Sequence, residues 1–300
     1  MNTIQYLTDP AVRGLFWPGV IAALAIALLS APLSVLVVLK RLAFIGQGIS
    51  HAAFGGIGLA AVLGLTARLG ASGLTAAPMH GIPQFLLVTG FCVAAGLAVG
   101  VVADRRVAKE DTAIGVVLVA SMALGAILLN VAPTGLAWES FLFGSITLVS
   151  PTDAATAWLI TLAVLAALFL LRRPLLFWAF DEVGAIARGI SAPAMRTALL
   201  ILISLATVVA MKLAGVVLAT ALLVLPGATA LALSRRWGVV LALSIAAALA
   251  GVVGGLVLSF EAEWPTGASI VVVLTALLGA ARGFSVLRAR GQRAAHPQSP

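Results

Sequence analysis

The chain is short of nearly everything a soluble enzyme uses. Charged residues make up only 9% of its 300 positions, where a soluble protein carries about a quarter. A single cysteine, Cys92, sits inside an apolar run. That excludes a disulfide framework and a thiolate metal site. Lysine occurs only at Lys40, Lys109 and Lys212, and no G-x-x-x-x-G-K-[ST] loop precedes any of them. The sequence therefore lacks the phosphate cradle of a P-loop nucleotide site and cannot power active transport by that route. Neither a Ser–His–Asp set nor an H-E-x-x-H pair is present, which argues against an intramembrane protease. The formal charge of +8 does not gather into a basic patch, so nucleic acid is not implied as a partner.

What the chain has instead is apolar length, with 62% hydrophobic residues. Runs at roughly 19–39, 43–66, 84–103, 112–131, 152–171, 194–211, 214–233, 238–259 and 267–284 predict about nine transmembrane helices in an all-α polytopic membrane bundle. The weakest boundary lies between the sixth and seventh. Residues 1–18 read as an interfacial segment with Phe16 and Trp17 at headgroup depth, 19–284 as the transmembrane domain, and 285–300 as a disordered basic tail. Asp9 and Arg13 before the first run lack the pattern of a signal peptide, so that run is expected to stay as a span. Segment 137–150 is too short to cross and reads as interfacial or re-entrant.

Lys and Arg positions orient the bundle. With the loop after the first run inside, fifteen fall on the inner side and only Arg13, Arg68 and Lys212 outside. This predicts the N-terminus out and the C-terminus in, and it requires an odd number of crossings. All ten carboxylates map to span ends or loops, so a proton-driven carrier built on buried carboxylates is disfavoured. Among loop residues, His80, Glu261, Glu263 and His296 carry no strong argument; a lone loop histidine is more often solvated than a ligand. Gly96-x-x-x-Gly100 and Gly251-x-x-x-Gly255 fit close helix contacts.

One ionisable residue stands apart. His51 lies inside the second run, with Gln47 one turn before it on the same helix face and Ser50 beside it. If the helix enters the bilayer near Leu42, His51 lies about 14 Å along it, near the middle of a core roughly 30 Å thick. Such depth marks a functional candidate. The alternative is a neutral histidine donating one hydrogen bond across a helix interface.

The longest inner connection, 172–196, contains Asp181, Glu182, Ala185, Arg188, Gly189 and Ile190 and predicts short helices broken at Gly189 and Pro193. Glu182 and Arg188 bracket an apolar stripe of Val183, Ile186 and Ala187, suited to a partner's groove or to the lipid surface.

Three stretches, taken in order, resemble the zinc/manganese/iron permeases of bacterial ABC importers. They are G-Q-G-I-S-H-A-A-F-G-G-I-G-L-A (46–60), F-D-E-V-G-A-I-A-R-G-I (180–190) and A-M-K-L-A-G-V-V-L-A-T-A-L-L-V-L-P-G-A-T-A (210–230). Weaker echoes fall at 110–117, 142–150 and 264–274. The resemblance implies a homodimeric permease of the inner membrane, two cytoplasmic ATPase subunits coupled through 180–191, and an external solute-binding protein. ATP hydrolysis then belongs to the separate subunits, and no cofactor is held permanently. The resemblance also implies a metal passage lined by an Asp-x-x-x-His pair. His51 takes the histidine position, but Gln47 stands where the family has aspartate. An amide offers a neutral oxygen in place of a charged one, leaving imidazole as the main ligand and favouring zinc over manganese or iron. The alternatives are a permease for a chelate such as a siderophore or corrinoid, an exporter, and a non-transporting scaffold.

Overall fold

The computed structural model describes residues 10–65, 81–104, 110–132 and 149–295. Within them every regular element is helical: α1 (Pro10–Leu39), α2 (Ile45–Val62), α3 (Ile82–Asp104), α4 (Glu110–Val131), α5 (Pro151–Phe180), α6 (Glu182–Ala187), α7 (Ala192–Leu222), α8 (Leu225–Leu233), α9 (Trp237–Ala262) and α10 (Thr266–Ala295). His80, His296, Arg68, Arg105, Arg106, Lys109 and most of 137–150 lie outside the described residues.

The helices are layered by burial. α2 is the most enclosed of the long helices (78% of its apolar window), whereas α10 is the least (17%). α1, α2 and the 192–233 region form the centre, and α4, α5 and α10 turn apolar side chains such as Val119, Leu170 and Phe284 outward. An apolar exterior on a long helix costs nothing in lipid, so exposure here marks the lipid side. Small residues let the helix axes approach. Gly96 and Gly100 of α3 meet Ser204 and Leu200 of α7, while Gly251 and Gly255 of α9 meet Leu274 and Ile270 of α10. Both glycine pairs thus make the close contacts their spacing predicts.

Eight helical runs are long and apolar enough to cross a membrane, against nine apolar stretches in the sequence. The difference lies in one run of 42 residues, Ala192–Leu233, which crosses and returns. Its start follows α6, tied to Lys40 at the end of α1. Lys212, midway, reaches Asp153 in the first turn of α5, at the opposite end of the bundle. Leu223 is already back beside Gly46 at the start of α2, and Trp237, just after the run, stacks on Phe180 at the far end of α5. A continuous helix would carry Leu223 about 16 Å beyond Lys212. The reversal occurs at Gly215, whose φ of 82° and ψ of 167° break the helix and suit a residue without a Cβ. The outward limb, 192–214, is about 34 Å long and the returning limb, 216–233, about 27 Å. Among the described residues nine passages result, with the start of α1 and the end of α10 on opposite sides.

Two boundaries differ from the sequence expectation. α1 begins at Pro10, so 10–18 belong to the same helix as the first span, and Phe16 packs 5.1 Å from Phe260. The expected disordered tail from 285 is helical as far as Ala295. A helix already nucleated in the span adds one bond per residue, and the Arg- and Ala-rich continuation propagates it readily.

Candidate functional site

α1 ends where the chain must turn back. Arg41 takes a left-handed conformation, φ 59°, while Leu42 N–H donates to Val37 O and Arg41 N–H to Val38 O. This paired closure satisfies the last carbonyls of α1. α2 then starts at Ile45, three residues later than Leu42, so His51 lies about 9 Å along it, a third of the way through its 18 residues. It is shallower than the spacing predicts because 42–44 form a turn.

Glycines fix how α2 sits. A Cβ at Gly58 would stand 3.0 Å from the Gly125 carbonyl oxygen of α4, and one at Gly56 3.2 Å from the Val88 Cα of α3. Those contacts cover the outer half of α2. Its inner half keeps an open strip: Phe44 and Gln47 are exposed and His51 half-buried. Ser50, beside them in sequence, is buried and donates to the Gly46 carbonyl at 2.7 Å, so it takes no part in the strip. Cys92 lies behind, its thiol 3.6 Å from the Ile49 carbonyl. Among the described residues the side chains of Gln47 and His51 have no hydrogen-bond partner, and no three His, Cys, Asp or Glu side chains gather to hold an ion. One imidazole nitrogen and one amide oxygen are half of a tetrahedral shell.

The second region is α6. Asp181 caps it, accepting from the Gly184 N–H at 2.8 Å, and Gly189, φ 81°, closes its end. Ser191 and Pro193 start α7 at once. Ala185 is fully buried against the body, which turns Val183 (80% exposed) and Ile186 (56% exposed) outward. Ala187 is exposed with them. The flanking charges, expected to set a partner's register, are engaged within the chain. Lys40 Nζ donates to Glu182 Oε2 at 2.9 Å and stacks 3.7 Å from the Trp178 ring; Arg188 lies 4.9 Å over Phe177. The Lys40 contact holds the Glu182 carboxyl below the usual carboxylate range, against a burial that pushes it up. α6 is thus latched to α1 and α5.

A third constellation escaped sequence reasoning, which counted Lys212 only as an outer charge. Lys212 Nζ donates to Asp153 Oδ1 at 2.7 Å and lies 4.9 Å over the Phe85 ring. Asp153 Oδ2 accepts from the Ser150 hydroxyl at 2.7 Å. The pair pins the tip of the α7 reversal to α5. Its one signal was that both residues fall at outer span ends.

Comparison with known proteins follows the same geometry. Residues 14–283 match the model of the ABC 3 transport family. The manganese transport system membrane protein MntC of Halalkalibacterium halodurans is 34% identical over 88% of this chain and 85% of its own. A probable iron transport system membrane protein of Haemophilus influenzae is 30% identical over 95% and 99%. Among solved structures, PsaBC from Streptococcus pneumoniae, in complex with Fab, superposes with a TM-score of 0.75 at 25% identity, covering 93% of both chains.

Proposed function

Because this multi-pass chain belongs to the ABC 3 transport family, we propose that it is the inner-membrane permease subunit of a bacterial importer for a divalent transition-metal ion. The observation that carries this reading is the open strip of α2, where His51 and Gln47 share a face and their side chains lack partners among the described residues. Two copies meeting along that strip would supply four donors, a full tetrahedral set. The homodimer therefore gives a purpose to polar groups left bare inside a membrane helix, where an unpaired polar group is costly.

The cargo would be delivered by an external binding protein and would pass from that shared site to the cytoplasm. A neutral amide beside imidazole favours zinc within the class. A second reading, manganese, is supported by relatives named for manganese transport. ATP hydrolysis would lie on separate cytoplasmic subunits seated against Val183 and Ile186 of α6, whose exposure leaves an apolar stripe free for a groove.

The test is uptake into vesicles carrying the permease with its ATPase, measured ion by ion. His51→Ala should lower uptake by at least about a hundredfold, beyond the usual cost of disturbing a ligand's outer shell, while the dimer and its ATPase still co-purify. Wild-type uptake in that variant would overturn the ligand role.

A further inference from the structure

A cavity of about 660 Å³ opens between α1, α5 and α9, away from the α2 strip. Leu28, Leu36, Leu165, Phe169, Leu241 and Ile245 contribute to its wall. The outer halves of α1 and α5 are laced together by Trp158 Nε1–H on the Ile21 carbonyl at 3.1 Å and Thr161 on the Ala25 carbonyl at 3.3 Å. Nearer the inner side, the groove opens between the same helices. Its α5 wall, Leu165 to Leu176, extends about 16 Å, the depth of one leaflet of a core roughly 30 Å thick.

The polarity of this groove is confined to its inner end. Apart from the Trp237 indole, its only polar lining side chains are Arg172 and Arg173. Both are exposed, and among the described residues neither has a carboxylate partner. Arg172 stacks 4.0 Å over the Phe169 ring at the groove wall. Trp237, at the inner end of α9, brings the amphipathic ring that sits at headgroup level. Arg235 and Arg236, also exposed, lie on the segment that leads into it. An apolar trough of leaflet depth, with unneutralised guanidinium groups at its headgroup end, is complementary to a molecule with an anionic head and hydrocarbon tails.

We propose that this groove is a binding site for an anionic phospholipid of the inner leaflet. Its tails lie along α1, α5 and α9, and its phosphate is held by Arg172 and Arg173. The lipid bridges three helices at the base of α5, one turn above the residues that latch α6. The assignment stands independently of the cargo.

The full-length permease, delipidated and then incubated with vesicles of either phosphatidylglycerol or phosphatidylcholine, can be re-extracted in mild detergent and weighed intact by native mass spectrometry. The wild type should retain phosphatidylglycerol in preference to phosphatidylcholine. R172Q/R173Q should lower phosphatidylglycerol retention roughly thirtyfold, since each surface arginine contributes about 1 kcal/mol toward an anionic lipid. Leu168→Trp, which fills the trough and leaves both arginines, should lower it as well. Circular dichroism and gel filtration would check that both variants remain folded. Equal retention of the two lipids by the wild type, or undiminished phosphatidylglycerol on folded R172Q/R173Q, would overturn the assignment.

Discussion

At the scale of single residues, the proposed metal passage makes the donor beside His51 the group that sets selection. A carboxylate at position 47 would add a charge and a hard oxygen to the strip of α2, whereas Gln47 offers a neutral carbonyl. Gln47→Asp should tighten ion binding and shift the manganese-to-zinc uptake ratio toward manganese roughly tenfold, the scale of one charge-assisted contact. Turnover should slow, because conduction needs a site weak enough to release its ion. Competitive uptake with both ions present measures the shift, and an unchanged ratio would place selection elsewhere. The pairing of 47 with 51 was legible from helical spacing alone. That Ser50 turns back onto Gly46 was not: a hydroxyl mid-helix can face out or bond the previous turn, and burial by neighbouring helices decides between them.

The short helix α6 shows the same division one level up. The sequence exposed its glycine stop and its apolar stripe, both local features. The engagement of Glu182 by Lys40, 142 positions earlier, was invisible because it depends on α1 ending beside α5. With that latch made, Val183 and Ile186 are presented outward while Ala185 anchors the helix. Ile186→Asp would place a charge in any groove that receives the stripe, at an expected cost of several kcal/mol when buried unpaired. The variant should insert and dimerise but fail to retain its ATPase on co-purification, with uptake lost. Full ATPase retention would move the docking role to another connection, the segment 104–111 being the next candidate.

For the whole molecule, the arrangement of passages fixes which sites share a side of the membrane. The α7 reversal puts α6, the end of α1 and the start of α9 together at one end. Asp153, Lys212, Phe16 and Phe260 stand toward the other. Combined with the distribution of Lys and Arg, this predicts that a Val183→Cys variant reacts with a membrane-impermeant thiol reagent only from the cytoplasmic side. A Glu263→Cys variant should react only from outside; Cys92 is buried and supplies a silent background. Labelling of both positions from one side would refute the nine-passage path.

The sequence by itself determined the class of protein, its all-α polytopic build and the polar pair on one face of α2. These follow from composition and from the fixed geometry of a helix in lipid, where every backbone group must be satisfied within its own segment. Only the tertiary structure decided that two passages form one run folded at Gly215, that Asp153 clasps its tip, and that the strip bearing Gln47 and His51 is left uncovered. It alone revealed the groove between α1, α5 and α9. Each of these depends on which helices become neighbours, and adjacent apolar faces look alike in sequence. Their pairing is chosen by where small residues allow two backbones to approach, a property of surfaces and not of any one segment.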